Sequence, residues 1–167
     1  MQFNIKVKTI YNCNLERTFK TPMLCDVTKI HTGFGLMPKI VSVSDDKTWG
    51  KPGGSKKVYA EKSIVQKGGY VSLDKVLERV ENHYWKIEVS DFQAWMLGFY
   101  KFEGEWQTNK IDDHRTEIVY TYTLFAKGVL YYPFCWMFAH LFWKIYMKKV
   151  LKNVWHLVKS AEPYMYP

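Results

Sequence analysis

The chain has 167 residues, 47% of them hydrophobic and 17% aromatic, and a formal net charge of +8. That length suits one domain with a substantial core. The charge is carried almost wholly by lysine, with Arg17, Arg79 and Arg115 the only arginines, which argues against sequence-specific nucleic-acid binding because bidentate guanidinium contacts are its usual means.

The first element alternates: Phe3, Ile5, Val7, Thr9 and Tyr11 interleave with Gln2, Asn4, Lys6 and Lys8, the period of a half-buried strand. This alternation also differs from the continuous apolar run of a signal peptide. Asn12 and Asn14 offer helix caps, so Asn14 to Thr21 and Cys25 to His31 are expected as two short helices parted by Pro22. Lys39 to Ser44 is expected as a second strand, the turn-rich Asp45 to Gly54 as a loop, and Ser55 to Val65 as a third strand. Tyr70 to Val80 and Tyr84 to Phe92 follow as hairpin partners. Next come a strand with Tyr100, Phe102, Gly104, Trp106 and Thr108 on its covered face, and a seventh strand over Thr116 to Ala126.

Tyr131 to Ser160 reads as one long helix opened by Pro133. Its second half is two-faced: Trp143, Tyr146, Met147, Val150, Val154 and Leu157 share one arc, and Lys144, Lys148, Lys152, His156 and Lys159 the other. Between Phe134 and Phe142 the helix is apolar on all sides, so both sides call for an apolar cover: a ligand, a loop or a partner. The uncharged stretch Gly128 to Trp143 falls short of the roughly 18 apolar residues needed to span a bilayer. Residues 1–160 are expected to form one domain, with 161–167 as a short tail. The fold class is α+β: a curved seven-stranded antiparallel sheet wrapped around the C-terminal helix. Cys13, Cys25 and Cys135 are odd in number and widely spaced, unlike a disulfide framework or a metal motif, and point to a reducing, cytoplasmic setting.

This succession, with the Trp49-Gly50-Lys51-Pro52-Gly53 loop and the aromatic-rich last helix, resembles the START-like (SRPBCC) superfamily, and within it the polyketide cyclase/dehydrase and lipid transport branch. The resemblance implies a helix-grip fold whose cavity, between sheet and C-terminal helix, takes a lipid, polyketide or aromatic compound. Members include carriers, receptors, cyclases and oxygenase subunits, so the fold does not choose the activity.

Candidate ligand-lining residues are Trp85, Trp95, Tyr100, Phe102, Trp106, Tyr120, Phe134, Phe138, His140 and Phe142, since so many facing rings are hard to pack solidly. Arg79, Glu81 and His83 alternate at the end of a strand and, with His140, are the weak candidates for acid–base work in a cyclase or dehydratase. Cross-strand ion pairing and a core or rim histidine are the commoner roles for such residues. The five histidines lack metal-site spacing, so neither metal nor other cofactor is expected. The expected partner is a small apolar ligand, with the protein a monomer or homodimer. A membrane-surface or protein-interaction module, in which the lysine-flanked helix meets lipid head groups or a partner protein, is the remaining alternative.

Overall fold

The computed structural model describes residues 1–63, 66–93 and 98–166. Strand β1 (Gln2–Tyr11) buries Phe3, Ile5, Val7 and Tyr11 and exposes the residues between most of them. Helix α1 (Leu15–Leu24) starts where the Asn14 side chain accepts from the Arg17 amide at 2.9 Å. It runs through Pro22 instead of stopping at Thr21. The missing N–H falls in the last turn, where little helix remains to be disrupted. Asp26 caps the short α2 (Val27–Ile30) through the Thr28 amide.

Eight strands follow one antiparallel order among the described residues, one more than expected. The additional strand is β2 (Thr32–Phe34), paired with β3 (Met37–Val43) across a turn at Gly35. Then come β4 (Ser55–Ala60), β5 (Gly69–Val80), β6 (Tyr84–Ser90), β7 (Phe99–Lys110) and β8 (Thr116–Ala126). The spatial order β1-β8-β7-β6-β5-β4-β3-β2 pairs the first strand with the last. Register shifts in β3–β4, β4–β5, β5–β6 and β7–β8 bend the sheet, since each bulge adds local twist. The convex face is polar: Lys86 and Lys101 both reach Glu103 at 2.7 Å.

The C-terminal helix crosses the concave face in three parts: α3 (Tyr132–Met137), a π-helical turn over Phe138–Trp143, and α4 (Lys144–Lys159). The π turn has a cause in the sequence. Cys135, Ala139, Trp143 and Met147 are all buried at four-residue steps, and an α-helix with 3.6 residues per turn drifts by about 40° at each such step. A wider i→i+5 turn absorbs that drift and keeps all four against the sheet. In α4 the expected inward arc of Tyr146, Met147, Val150, Val154 and Leu157 is buried. Beyond it, the chain turns back: the Met165 amide donates to the Leu24 carbonyl at 2.7 Å, and Tyr166 is buried against Trp49.

The first half of the helix departs from the expectation of apolar cover on both sides. Phe138 packs on Phe99, and Phe142 on Phe34 and over Gly35, but Phe134, Trp136, Met137, Leu141 and Ile145 face solvent.

Candidate ligand site

A partly open cavity of about 140 Å³ lies between the concave face and the helix. Its walls are chiefly apolar, among them Ile40, Val58, Ile87, Phe102 and Trp143, and half-exposed Leu36 marks where it meets solvent. A smaller space of about 40 Å³ adjoins it, walled by Trp49, Trp85, Trp106 and Tyr120. Val27, His31, Asp74, Ile87 and Tyr122 line both.

The polar groups of the site gather at that shared wall. Lys56 on β4 and Asp74 on β5 are register partners, so their side chains rise from the same face. Lys56 is only 3% exposed, and its ammonium sits 3.7 Å from the centre of the Trp49 ring. Burial pulls its pKa down to about 8, against the opposing pull of Asp74 and Asp26. Burial likewise pushes the Asp74 carboxyl up to about 6, while Lys56 and the Ser72 hydroxyl, 3.4 Å away, act the other way. His31, just past α2, is held neutral by burial and then by the Lys56 charge, down to about 4. Its Nδ1 shares a hydrogen bond of 2.6 Å with the Tyr146 hydroxyl. The buried Tyr122 and Tyr146 hydroxyls are both held well away from ionisation by desolvation.

Local features hold these groups in place. Trp49 Nε1 donates to the Met23 carbonyl at 2.8 Å, and Gly53 and Gly54 exchange hydrogen bonds with Val76, which pins the turn-rich loop over β5. Gly104, opposite Tyr122 in the register, makes room for its ring: a Cβ there would meet Tyr122 Cζ at 2.8 Å. The indole N–H groups of Trp85, Trp106 and Trp143 are buried without an acceptor among the described residues. These three donors add to the Lys56, Asp74, His31 and tyrosine groups of chiefly apolar spaces.

The residues expected from sequence divide clearly. Phe102 lines the larger cavity, and Trp85, Trp106 and Tyr120 line the smaller. Phe134, Phe138, His140 and Phe142 line neither; Phe134 faces solvent, and His140 is half-buried between Phe3 and Trp136. Tyr100 is 45% exposed because the bulge between Phe99 and Lys101 reverses the inward parity, so Phe99 is buried instead. Trp95 lies outside the described residues. Arg79 holds Glu81 at 2.8 Å and the Gly50 carbonyl at 2.8 Å, and His83 is exposed at the hairpin turn, so this trio lines neither cavity. The groups overlooked in sequence, Lys56 and Asp74, carried a signal: each sits at an inward parity position, Lys56 in step with Val58 and Ala60, and Asp74 in step with Ser72 and Val76.

Solved structures with this architecture set the context. Ara h 8.0201 superposes with a TM-score of 0.70 at 20% identity, covering 96% of this chain and 99% of its own. The fold is START-like. A Staphylococcus aureus protein of unknown function matches equally well, with a TM-score of 0.70 at 13% identity and 96% of each chain covered. Norcoclaurine synthase from Thalictrum flavum, solved in complex with dopamine and hydroxybenzaldehyde, gives a TM-score of 0.66 at 9% identity over 98% of this chain and 90% of its own. No protein-family model matches this chain, and no curated protein matches it in sequence.

Proposed function

We propose that this START-like protein binds a small, largely apolar ligand, about one aromatic ring in size and bearing a hydroxyl or amino group, between the sheet and the C-terminal helix. The observation that carries this reading is the apolar cavity of about 140 Å³ with Asp74, His31 and Tyr122 in its inner wall. An apolar cavity of about 150 Å³ is enough to hold benzene, so the volume favours a single ring over a lipid. Burial of the ring supplies most of the affinity, and a donor group set on Asp74 supplies orientation. The complex of norcoclaurine synthase holds single-ring compounds of this chemical kind. Calorimetric titration with phenol and toluene tests the proposal: wild type binds phenol more tightly, and Asp74→Ala reduces phenol affinity to that of toluene. Failure to bind either compound overturns it.

A second reading, an enzyme that moves protons on such a ligand, is favoured by one further observation. The Asp74 and Lys56 pKa values are drawn toward neutrality from opposite sides, to about 6 and about 8, as an acid–base pair working near neutral pH requires. Solvent deuterium incorporation into the methyl group of 4-hydroxyacetophenone, followed by NMR, checks this. The reading requires exchange that Asp74→Asn abolishes; no exchange above buffer removes it.

A further inference from the structure

Among the described residues, the two most exposed large apolar side chains are neighbours in the chain. Val129 is 78% and Leu130 84% exposed at the turn before α3, and Tyr132, Phe134, Trp136, Met137, Leu141 and Ile145 are each about half exposed along the helix that follows. Soluble surfaces rarely expose so many large apolar side chains in one segment without a partner.

Charge decides which partner. Between Ile118 and Ala161 the chain contains Lys127, Lys144, Lys148, Lys149, Lys152 and Lys159 and no aspartate or glutamate. None of these six lysines has an ion pair among the described residues, although six other lysines of the molecule do. Met137, Leu141 and Ile145 recur at four-residue steps through the π turn, and the exposed Lys144, Lys148 and Lys152 recur at the same step on the adjacent row, so an apolar row at the start of the helix is flanked by a cationic row toward its end. A second copy of the chain is a poor fit. In a two-fold interface the same patch meets itself, which would bring lysines together with no carboxylate of the segment to answer them.

We propose that this face docks on an anionic bilayer surface, with Val129, Leu130, Phe134 and Leu141 entering the interfacial region and Lys127, Lys144 and Lys148 set against the head groups. Interfacial helices combine these two features, an apolar stripe and flanking lysines. Docking by this face leaves the cavity free, because Trp143 and Tyr146 point inward from the opposite side of the helix. No described helix is long and apolar enough to cross a membrane, so the contact is peripheral.

Flotation with vesicles of phosphatidylcholine plus phosphatidylserine tests the proposal, with phosphatidylcholine vesicles as control. The expected result is binding to the mixed vesicles, weakening as salt shortens the screening length, and little binding to the control. Lys144→Gln and Lys148→Gln each lower the partition coefficient roughly fivefold. The double variant Leu130→Glu/Leu141→Glu abolishes flotation while circular dichroism shows an unchanged fold. Absence of wild-type flotation overturns the proposal, as does flotation that survives the double variant. A stable dimer in sedimentation without lipid, dissolved by the same double variant, overturns it in favour of a second copy.

Discussion

The wall between the two cavities and the outer face of the early C-terminal helix break the same rule in opposite directions. At the wall, a buried lysine and a half-buried aspartate and histidine are set among apolar side chains, and desolvation draws each of them toward its neutral form. On the helix, leucine, phenylalanine and methionine stand in solvent beside lysines that have no ion-pair partner among the described residues. Folding alone favours neither arrangement, because desolvated charge and hydrated apolar surface both raise the free energy of the folded state. The difference lies in the size of what each can meet: a bounded space suits a small molecule, and an open apolar stripe suits an extended surface.

Substitutions can break this contrast, beginning with the largest effect. Trp106 is fully buried and stacks on Trp85 with ring centres 6.1 Å apart. Trp106→Ala is expected to cost roughly 3–5 kcal/mol in denaturant unfolding, since it opens the packed floor of the smaller cavity.

Next comes pH. His31 is protonated in the unfolded chain near 6.5 but in the fold only near 4, so by itself it makes stability rise as pH climbs through that window. Asp74 does the reverse. Its carboxyl ionises near 3.8 when unfolded and near 6 when folded, so its contribution favours the fold at low pH and is lost as pH rises to about 6. Lys56 remains a cation throughout this range. The two slopes oppose in wild type. Asp74→Asn is expected to leave stability rising from pH 4 to 6.5, and His31→Gln to leave it falling, each by on the order of 2–3 kcal/mol. Urea midpoints across this range measure both, and flat profiles in both variants would show that neither group is desolvated as described.

Gly104→Ala sharpens the contrast at a smaller scale, because the added methyl must displace the Tyr122 ring. A loss of about 1–3 kcal/mol is expected, together with weaker phenol binding in the same calorimetric titration. The smallest effect belongs to the helix face: Leu141→Glu should change unfolding stability by no more than about 0.5 kcal/mol, because the side chain is 54% exposed.

Much of the fold was legible in the chain. β1 announced itself by a clean period of two, β8 by its β-branched and aromatic residues, and the second half of the last helix by a period of 3.6, and their ends match the expected ranges closely. The eighth strand was hidden because Thr32–Phe34 is too short to show a period. Tyr100 was misjudged because a bulge inserts a residue without any mark in the alternation. The site was legible only in part. Aromatic side chains drew notice to Trp85, Phe102, Trp106 and Tyr120, whereas Lys56 and Asp74 were passed over because charged side chains in strands usually face solvent, although their parity with buried neighbours marked them as inward.

The sequence by itself determined the α+β class, the antiparallel hairpins of the sheet and the inward arc of α4, because those follow from local periodicity and the need to bury one face. Only the tertiary structure decided that Lys56 faces inward across from Asp74, that His31 reaches Tyr146, and that the aromatic start of the C-terminal helix lies open. Those outcomes depend on strand register, sheet curvature and the π turn, and each is set by packing between segments far apart in the chain.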